Sequence, residues 1–449
     1  MHSMLPDDTV KPGLSILRRI RQVLAGCWQL ILMLGFFAIG PVISFVGLQS
    51  PIVTLALSVF LILGGLCLQT DRRLGLPIAP LALAVVALFL LVAGASLYWT
   101  PDMDAAERQL IQFAYTLLPI ACAIGVLMRL PDRLVRRLEW AFIAGILIGM
   151  TILVFEVKEG QPLHYWVQGL KPGELSINTF NRALVGMAML VFPTVGLVLA
   201  RGQNNLAIVI PVGYGALLTQ TESQTALLGV AVGAIVYVLA VRLPKFTPWM
   251  VGGIFVALSI GAVPVAFAFD ASGLVHADWL MLSARHRIEV WHFAAEKIMA
   301  APWLGYGLES AQATFPKAGE ISSILPHDIN MVHRHPHNLF LQIWYEFGAF
   351  GAAVVMIAGL AMLWRLSKLA PRAGQAGIAT FSACLAMVAV TSFSIWHTWF
   401  MCTLALALFS VLLLARDPLP VVKPSVSTGS NADDKAKQPD PENPEPAGV

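Results

Sequence analysis

Long apolar stretches alternate with short polar ones from one end of this chain to the other. A helix of about 20 apolar residues matches the hydrocarbon thickness of a bilayer. Taken in order, the stretches predict spans at 24–47, 51–68, 78–98, 110–128, 138–155, 183–200, 205–219, 225–241, 249–269, 338–363, 377–396 and 398–415. The expected fold is an all-α polytopic integral membrane protein with about 12 transmembrane helices. The first stretch follows Arg18, Arg19 and Arg21. It is too long for a signal-peptide core, and no small-residue cleavage site follows it, so it reads as an uncleaved span.

Two polar intervals are long, 156–182 and 270–337; the other connections on that side are short. The expected organisation is an N-terminus at 1–23, nine spans in 24–269, a large external loop at 270–337, three spans in 338–415 and a tail at 416–449. The tail is rich in Pro, Asp, Lys and Ser, which predicts disorder.

Charge adds orientation. Only 12% of residues are charged and 57% are hydrophobic, against about a quarter charged in soluble domains. With the N-terminus inside, twenty Lys and Arg fall on the inner side and nine on the outer. That asymmetry places both termini in the cytoplasm and both long intervals outside. All five cysteines lie in apolar runs, which argues against a disulfide framework or a CxxC metal site. No Gly-rich nucleotide loop and no internal repeat is visible, so chemistry without nucleotide, nucleic acid or cofactor is expected.

The candidate chemistry gathers on the outer side. Within 283–307, Ile288, Trp291, Ala295 and Ile298 recur at helical spacing, predicting a surface helix of about four turns. Ser283 is the expected N-cap. Arg285 and Arg287 fall in the first turn, where the helix dipole disfavours cations unless an anion binds there; snorkelling to lipid headgroups is the alternative. His337 stands where the loop meets the tenth span, behind Pro336 and before Asn338, which can hold the imidazole or cap the helix. A histidine titrates near neutral pH and suits a general base. His333 and His335 are expected to tolerate substitution better. His333, His335 and His337, with His327 and Asp328, could instead bind zinc, but Pro336 interrupts the spacing and no acidic cluster completes it. Glu346 is roughly 13 Å deeper than His337 on an ideal helix, so a structural partner is expected for it. Glu222, Ser223 and Gln224 either form an ordinary turn or line an outer cavity.

Together these segments resemble the O-antigen ligase and O-antigen polymerase superfamily of bacterial membrane glycosyltransferases. The residues that carry the resemblance are Arg287 with Trp291, Pro302 with Gly305 and Gly307, His337 with Asn338, and Glu346 with Gly348 and Gly351, in that order. The resemblance implies a bacterial inner-membrane enzyme with its active site at the periplasmic face. Its donor would be an undecaprenyl pyrophosphate-linked O-antigen and its acceptor a lipid A–core hydroxyl. By the same resemblance His337 acts at the acceptor and Arg287 binds pyrophosphate, with Arg285 and Arg182 as further candidates and Asn338, Trp291, Glu222 and Gln224 in support. Many relatives carry a Ser-Arg pair in the turn after the seventh span; here it reads Ser223-Gln224, which leaves the role of Arg182 open. Arginine suffices to neutralise a pyrophosphate leaving group, so inverting, metal-independent transfer is expected. The polymerase is the alternative within the superfamily, and a lipid-linked glycan or small-solute transporter is the alternative outside it.

Overall fold

Runs of Leu, Ile, Val and Ala between polar breaks satisfy their own backbone only as helices once water is excluded. In a computed structural model they do so throughout, with no strand among the described residues. Those residues are 12–45, 50–68, 79–169, 177–315, 323–324, 335–390 and 393–416. The chain divides into a unit Met1–Asp417 and a unit Pro418–Val449; the second, which holds most of the expected tail, lies outside the described residues.

The helices are α1 (Pro12–Phe45), α2 (Ser50–Leu68), α3 (Pro80–Ala95), α4 (Met103–Leu127), α5 (Asp132–Glu159), α6 (Pro162–Gln168), α7 (Ile177–Ala200), α8 (Asn204–Leu218), α9 (Gln224–Arg242), α10 (Thr247–Ala271), α11 (Leu282–Ala300), α12 (Ala311–Thr314), α13 (Leu339–Ser367), α14 (Pro371–Ala389) and α15 (Thr398–Arg416). Each of the twelve expected spans falls on one of these. Among the described residues nine helices are long and apolar enough to cross a membrane, and α2 and α8 supply shorter apolar segments.

The centre of the bundle is α7, whose apolar window is 94% buried. It is apolar on every side, from Ala183 to Val198, as a fully surrounded helix must be. Around it pack α1, α5, α9, α14 and α15. The α1–α5 crossing is close enough that a Cβ on Gly145 would lie 2.0 Å from the Phe37 carbonyl, and Ser44 Oγ bridges the two helices to Gly149 O at 2.9 Å. One end of the bundle is closed by ion pairs. Arg201 meets the buried Glu139, and Arg416 donates to Leu130 O at 2.8 Å and to Asp132 at 3.1 Å.

Three elements differ from the sequence expectation. Arg182 lies inside α7 rather than in a loop, because the helix begins at Ile177. The expected span 377–396 is shifted: α14 runs Pro371–Ala389, which leaves residues 393–397 as a connector ahead of α15. Finally, the expected continuous span 338–363 is broken.

That break is at Gly348, at φ 59 and ψ −158 inside α13. The segment Pro302–Gly307 fits into it. Tyr306 N–H donates to Tyr345 O and Gly307 N–H to Glu346 O, both at 2.8 Å. In return Ala349 N–H reaches Pro302 O at 2.8 Å and Phe350 N–H reaches Trp303 O at 3.2 Å. Backbone groups freed by the broken helix are thereby paired again, which is the condition for irregular backbone at membrane depth. Only glycine fits. A Cβ on Gly348 would sit 2.4 Å from the Trp303 carbonyl carbon, and one on Gly305 (φ 64) 2.5 Å from Tyr345 O.

Candidate functional site

The end of the bundle opposite the Arg201 and Arg416 ion pairs carries the polar chemistry. It is built by the start of α7, the α8–α9 turn, the start of α11, residues 335–338 and the connector 393–397.

His337 is held in a left-handed conformation, φ 56, uncommon for a residue with a side chain. Three contacts fix it there. Its N–H donates to His335 Nδ1 at 3.2 Å, and the two rings meet edge to face at 4.5 Å. The carbonyl of the preceding Pro336 accepts from Trp291 Nε1 at 2.8 Å. The following Asn338 caps α13, its Oδ1 accepting from Phe340 N–H at 2.9 Å and Leu341 N–H at 3.2 Å. Of the two roles open to Asn338, its side-chain oxygen performs the cap, and it acts on His337 through the backbone.

His335 departs from expectation. It is only 7% exposed, and its Nδ1 is an acceptor, which puts its proton on Nε2. It supports the His337 backbone directly, a contact the sequence did not suggest. His333, His327 and Asp328 lie outside the described residues.

The helix α11 buries Ile288, Ala295 and Ile298 as the periodicity predicted, against α10 and α13. Ser283 is not its N-cap. The cap position is Met281, which has no capping side chain, and Ser283 falls one residue inside the helix. The two arginines of the first turns diverge. Arg285 folds back on its own loop, with Nε donating to Val275 O and Nη1 3.4 Å from Asp278. Arg287 lies one turn before Trp291, on the same helix face, and Trp291 donates to the His337 loop. Burial lowers the Arg287 pKa from its ordinary value; arginine starts so high that the group stays charged.

Arg182 reaches the same end from α7. Its guanidinium lies 5.6 Å from the Phe393 ring, and its Nε is buried with no hydrogen-bond partner among the described residues. From Phe393 the connector leads to the histidines. Ser394 Oγ accepts from Gln342 at 3.0 Å, the His397 Nδ1 lies 2.9 Å from Ser394 O, and the His397 ring is 6.4 Å from that of His335. Glu346 sits below, buried, accepting from Gln342 Nε2 at 2.9 Å and Trp396 Nε1 at 2.8 Å.

The α8–α9 turn also joins this end. Ser223 Oγ donates to Asn181 Oδ1, and Gln224 Nε2 lies 3.6 Å from Met281 Sδ. Glu222 and Ser223 line a cavity; Gln224 instead contacts the start of α11.

Sequence reasoning missed the connector and its Phe393, Ser394, Trp396 and His397. The available signal was the polar interruption of a long apolar run, at a point that alternation of spans puts on the same face as His337.

The family model described as O-Antigen ligase matches residues 206–356. A "Putative polysaccharide ligase" of Rickettsia typhi is 24% identical over 221 residues, 49% of this chain and 53% of that one. Its namesake in Rickettsia felis is 26% identical over 219 residues, 48% and 52% of the two chains. That of Rickettsia bellii is 31% identical over 144 residues, 31% and 35%. Residues 206–356 are thus similar to the O-antigen ligase family. The chain spans about half the length of the curated relatives it matches. The matched segment runs from α8 into α13, so it contains Arg287, Trp291, Gly305, Gly348, His337 and Glu346. Arg182 and the connector 393–397 lie outside it.

Proposed function

We propose that the protein is an O-antigen ligase, moving O-polysaccharide from undecaprenyl pyrophosphate to a lipid A–core hydroxyl at the periplasmic face of the inner membrane. The observation that carries this reading is the Trp291–Pro336 hydrogen bond. It ties the helix face bearing a half-buried arginine to the loop bearing a constrained histidine, and so pairs an anion-binding group with a base.

In the proposed reaction His337 takes the proton of the acceptor hydroxyl as that oxygen attacks C1 of the donor sugar. The C1–O bond to pyrophosphate breaks, and the electron pair leaves with the lipid carrier. Arg287 neutralises the growing negative charge, with Arg182 as the second cation. The buried Arg182 Nε, without a partner among the described residues, supports this, since such a donor calls for a ligand. Arg285, already engaged by Val275 and Asp278, is the weaker candidate. In-line displacement inverts the anomeric centre.

A lipid-linked substrate also needs somewhere for its chain. An apolar cavity of about 710 Å³ is lined by Leu339 and by α13 residues between Val354 and Leu366, with Phe89, Phe381 and Met401 also on its walls. Leu339 is the residue after Asn338, and an apolar lining of this kind suits a polyprenyl tail.

The test is transfer in vitro. Purified protein, mixed with lipid-linked O-polysaccharide and lipid A–core, should yield lipopolysaccharide and free undecaprenyl pyrophosphate. A second lipid-linked glycan used as acceptor in place of lipid A–core would make the protein a polymerase and overturn the reading.

A further inference from the structure

A separate cavity of about 300 Å³ opens beside the α8–α9 turn, where the end of α5, α6 and the start of α7 meet. Its lining includes Gln161, Tyr165, Asn181, Gln220 and Glu222 over the apolar side chain of Phe180. Among the described residues no lysine or arginine lines it, and Glu222 places a carboxylate there, a charge of the same sign as a phosphate. Amides, a phenol and a carboxylate over an apolar floor are the groups that meet a polyhydroxylated, uncharged ring. Each sugar hydroxyl both donates and accepts, and these side chains offer both. The volume is at the lower end of ligand pockets, roughly 300–1,000 Å³, so it suits a single ring rather than a longer glycan.

Its walls are built rigidly. Gln161 holds a left-handed conformation, φ 68, immediately after Gly160 at φ 76. An amide-bearing residue kept there costs of order 1 kcal/mol, and such strain collects at functional sites. Beneath it the buried Glu156 carboxylate accepts from Leu163 N–H at 2.9 Å and His164 N–H at 3.0 Å, and pairs with His164 Nδ1. That fixes the first turn of α6. Asn181 spends its Oδ1 on Ser223, which leaves its amide N–H groups for a ligand. Arg182 follows directly and points about 100° further round α7, toward Phe393.

We propose that this cavity is a saccharide subsite: it takes the sugar ring next to the pyrophosphate of the donor, with Asn181 on the ring and Arg182 on the phosphate side. The inference rests on the proposed ligase reading and adds the residues that select the sugar.

The test uses purified protein in lipid nanodiscs and a double variant, Gln161→Gly with Glu222→Ala. Glycine is at home at φ 68, so the melting temperature should not fall. Two carriers are titrated, undecaprenyl pyrophosphate with and without an attached sugar. The double variant should bind the sugar-bearing carrier at least about tenfold more weakly, as the loss of one amide and one carboxylate hydrogen bond implies, and the bare carrier as well as wild type does. Equal weakening for both carriers, or none for either, overturns the subsite. Saturation-transfer NMR with a panel of methyl glycosides separates this inference from the one beneath it. Where wild type binds neither carrier yet saturates a glycoside in a Gln161-dependent way, the cavity's saccharide binding stands, while the ligase reading and the ring's place beside pyrophosphate fall. Where both carriers bind and the variant changes neither affinity nor saturation, the ligase reading stands and the subsite falls.

Discussion

Replacing Gly348 with alanine tests whether the two glycine motifs form a backbone lock. At φ 59 and ψ −158 the residue occupies a region essentially reserved for glycine. The new Cβ would lie 2.4 Å from the Trp303 carbonyl carbon and 2.6 Å from Leu304 N. Both are backbone atoms, so the segment Pro302–Gly307 must move away rather than a side chain swing aside. The conformational strain costs about 1–3 kcal/mol. Displacing Pro302–Gly307 also weakens the four backbone hydrogen bonds that fill the break, at about 1 kcal/mol for each one lost. A total of roughly 3–5 kcal/mol follows, a fall in Tm on the order of 5 °C for a chain of this size. Gly213→Ala is the control: it lies within α8 with nothing inside 4 Å of its Cβ position, and alanine there should be neutral or stabilising by about 0.5–1 kcal/mol. Thermal unfolding followed by tryptophan fluorescence in detergent reads both. Gly305→Ala should resemble Gly348→Ala, and the double variant should be less than additive, since both break the same four bonds. Wild-type Tm in Gly348→Ala, or full additivity in the double variant, would refute the lock.

The remaining expectations concern the chemistry. His337→Asn should lose transfer by about 10²-fold or more while folding normally, because asparagine tolerates the left-handed backbone; near-normal turnover would remove the base assignment. Arg287→Lys should not restore the activity lost in Arg287→Ala, since a point charge cannot replace a planar bidentate donor; undecaprenyl pyrophosphate binding measured on both variants checks this. Trp291→Phe keeps the ring and removes the donor to Pro336 O, so turnover should fall about tenfold with little change in Tm; unchanged turnover would detach α11 from the histidine loop. Transfer should survive EDTA; loss that added divalent cation restores would show that arginine is not sufficient.

Hydropathy alone marked the long apolar helices, because an apolar run of bilayer length has one favourable conformation in lipid and needs no tertiary partner to adopt it; it did not give the bounds of α14, Pro371–Ala389, or the break at Gly348. It also located α11, whose buried Ile288, Ala295 and Ile298 follow the helical period. The glycines at 305, 307, 348 and 351 were visible as motifs, but their purpose was not. Nothing local in the sequence says that one motif fills the break made by the other, across about 40 residues. The same holds for the candidate site. His337 and Arg287 could be singled out by residue type and position. That Arg285 turns back to Val275, that His335 props His337 and that Arg182 meets Phe393 depend on which loops pack together. Asn181 and Gln161 look like ordinary loop residues in the sequence. Only packing of α5, α6 and α7 around the α8–α9 turn makes them neighbours in a cavity, because side-chain proximity between distant segments is set by the tertiary contacts of the helices that carry them and leaves no periodic trace along the chain.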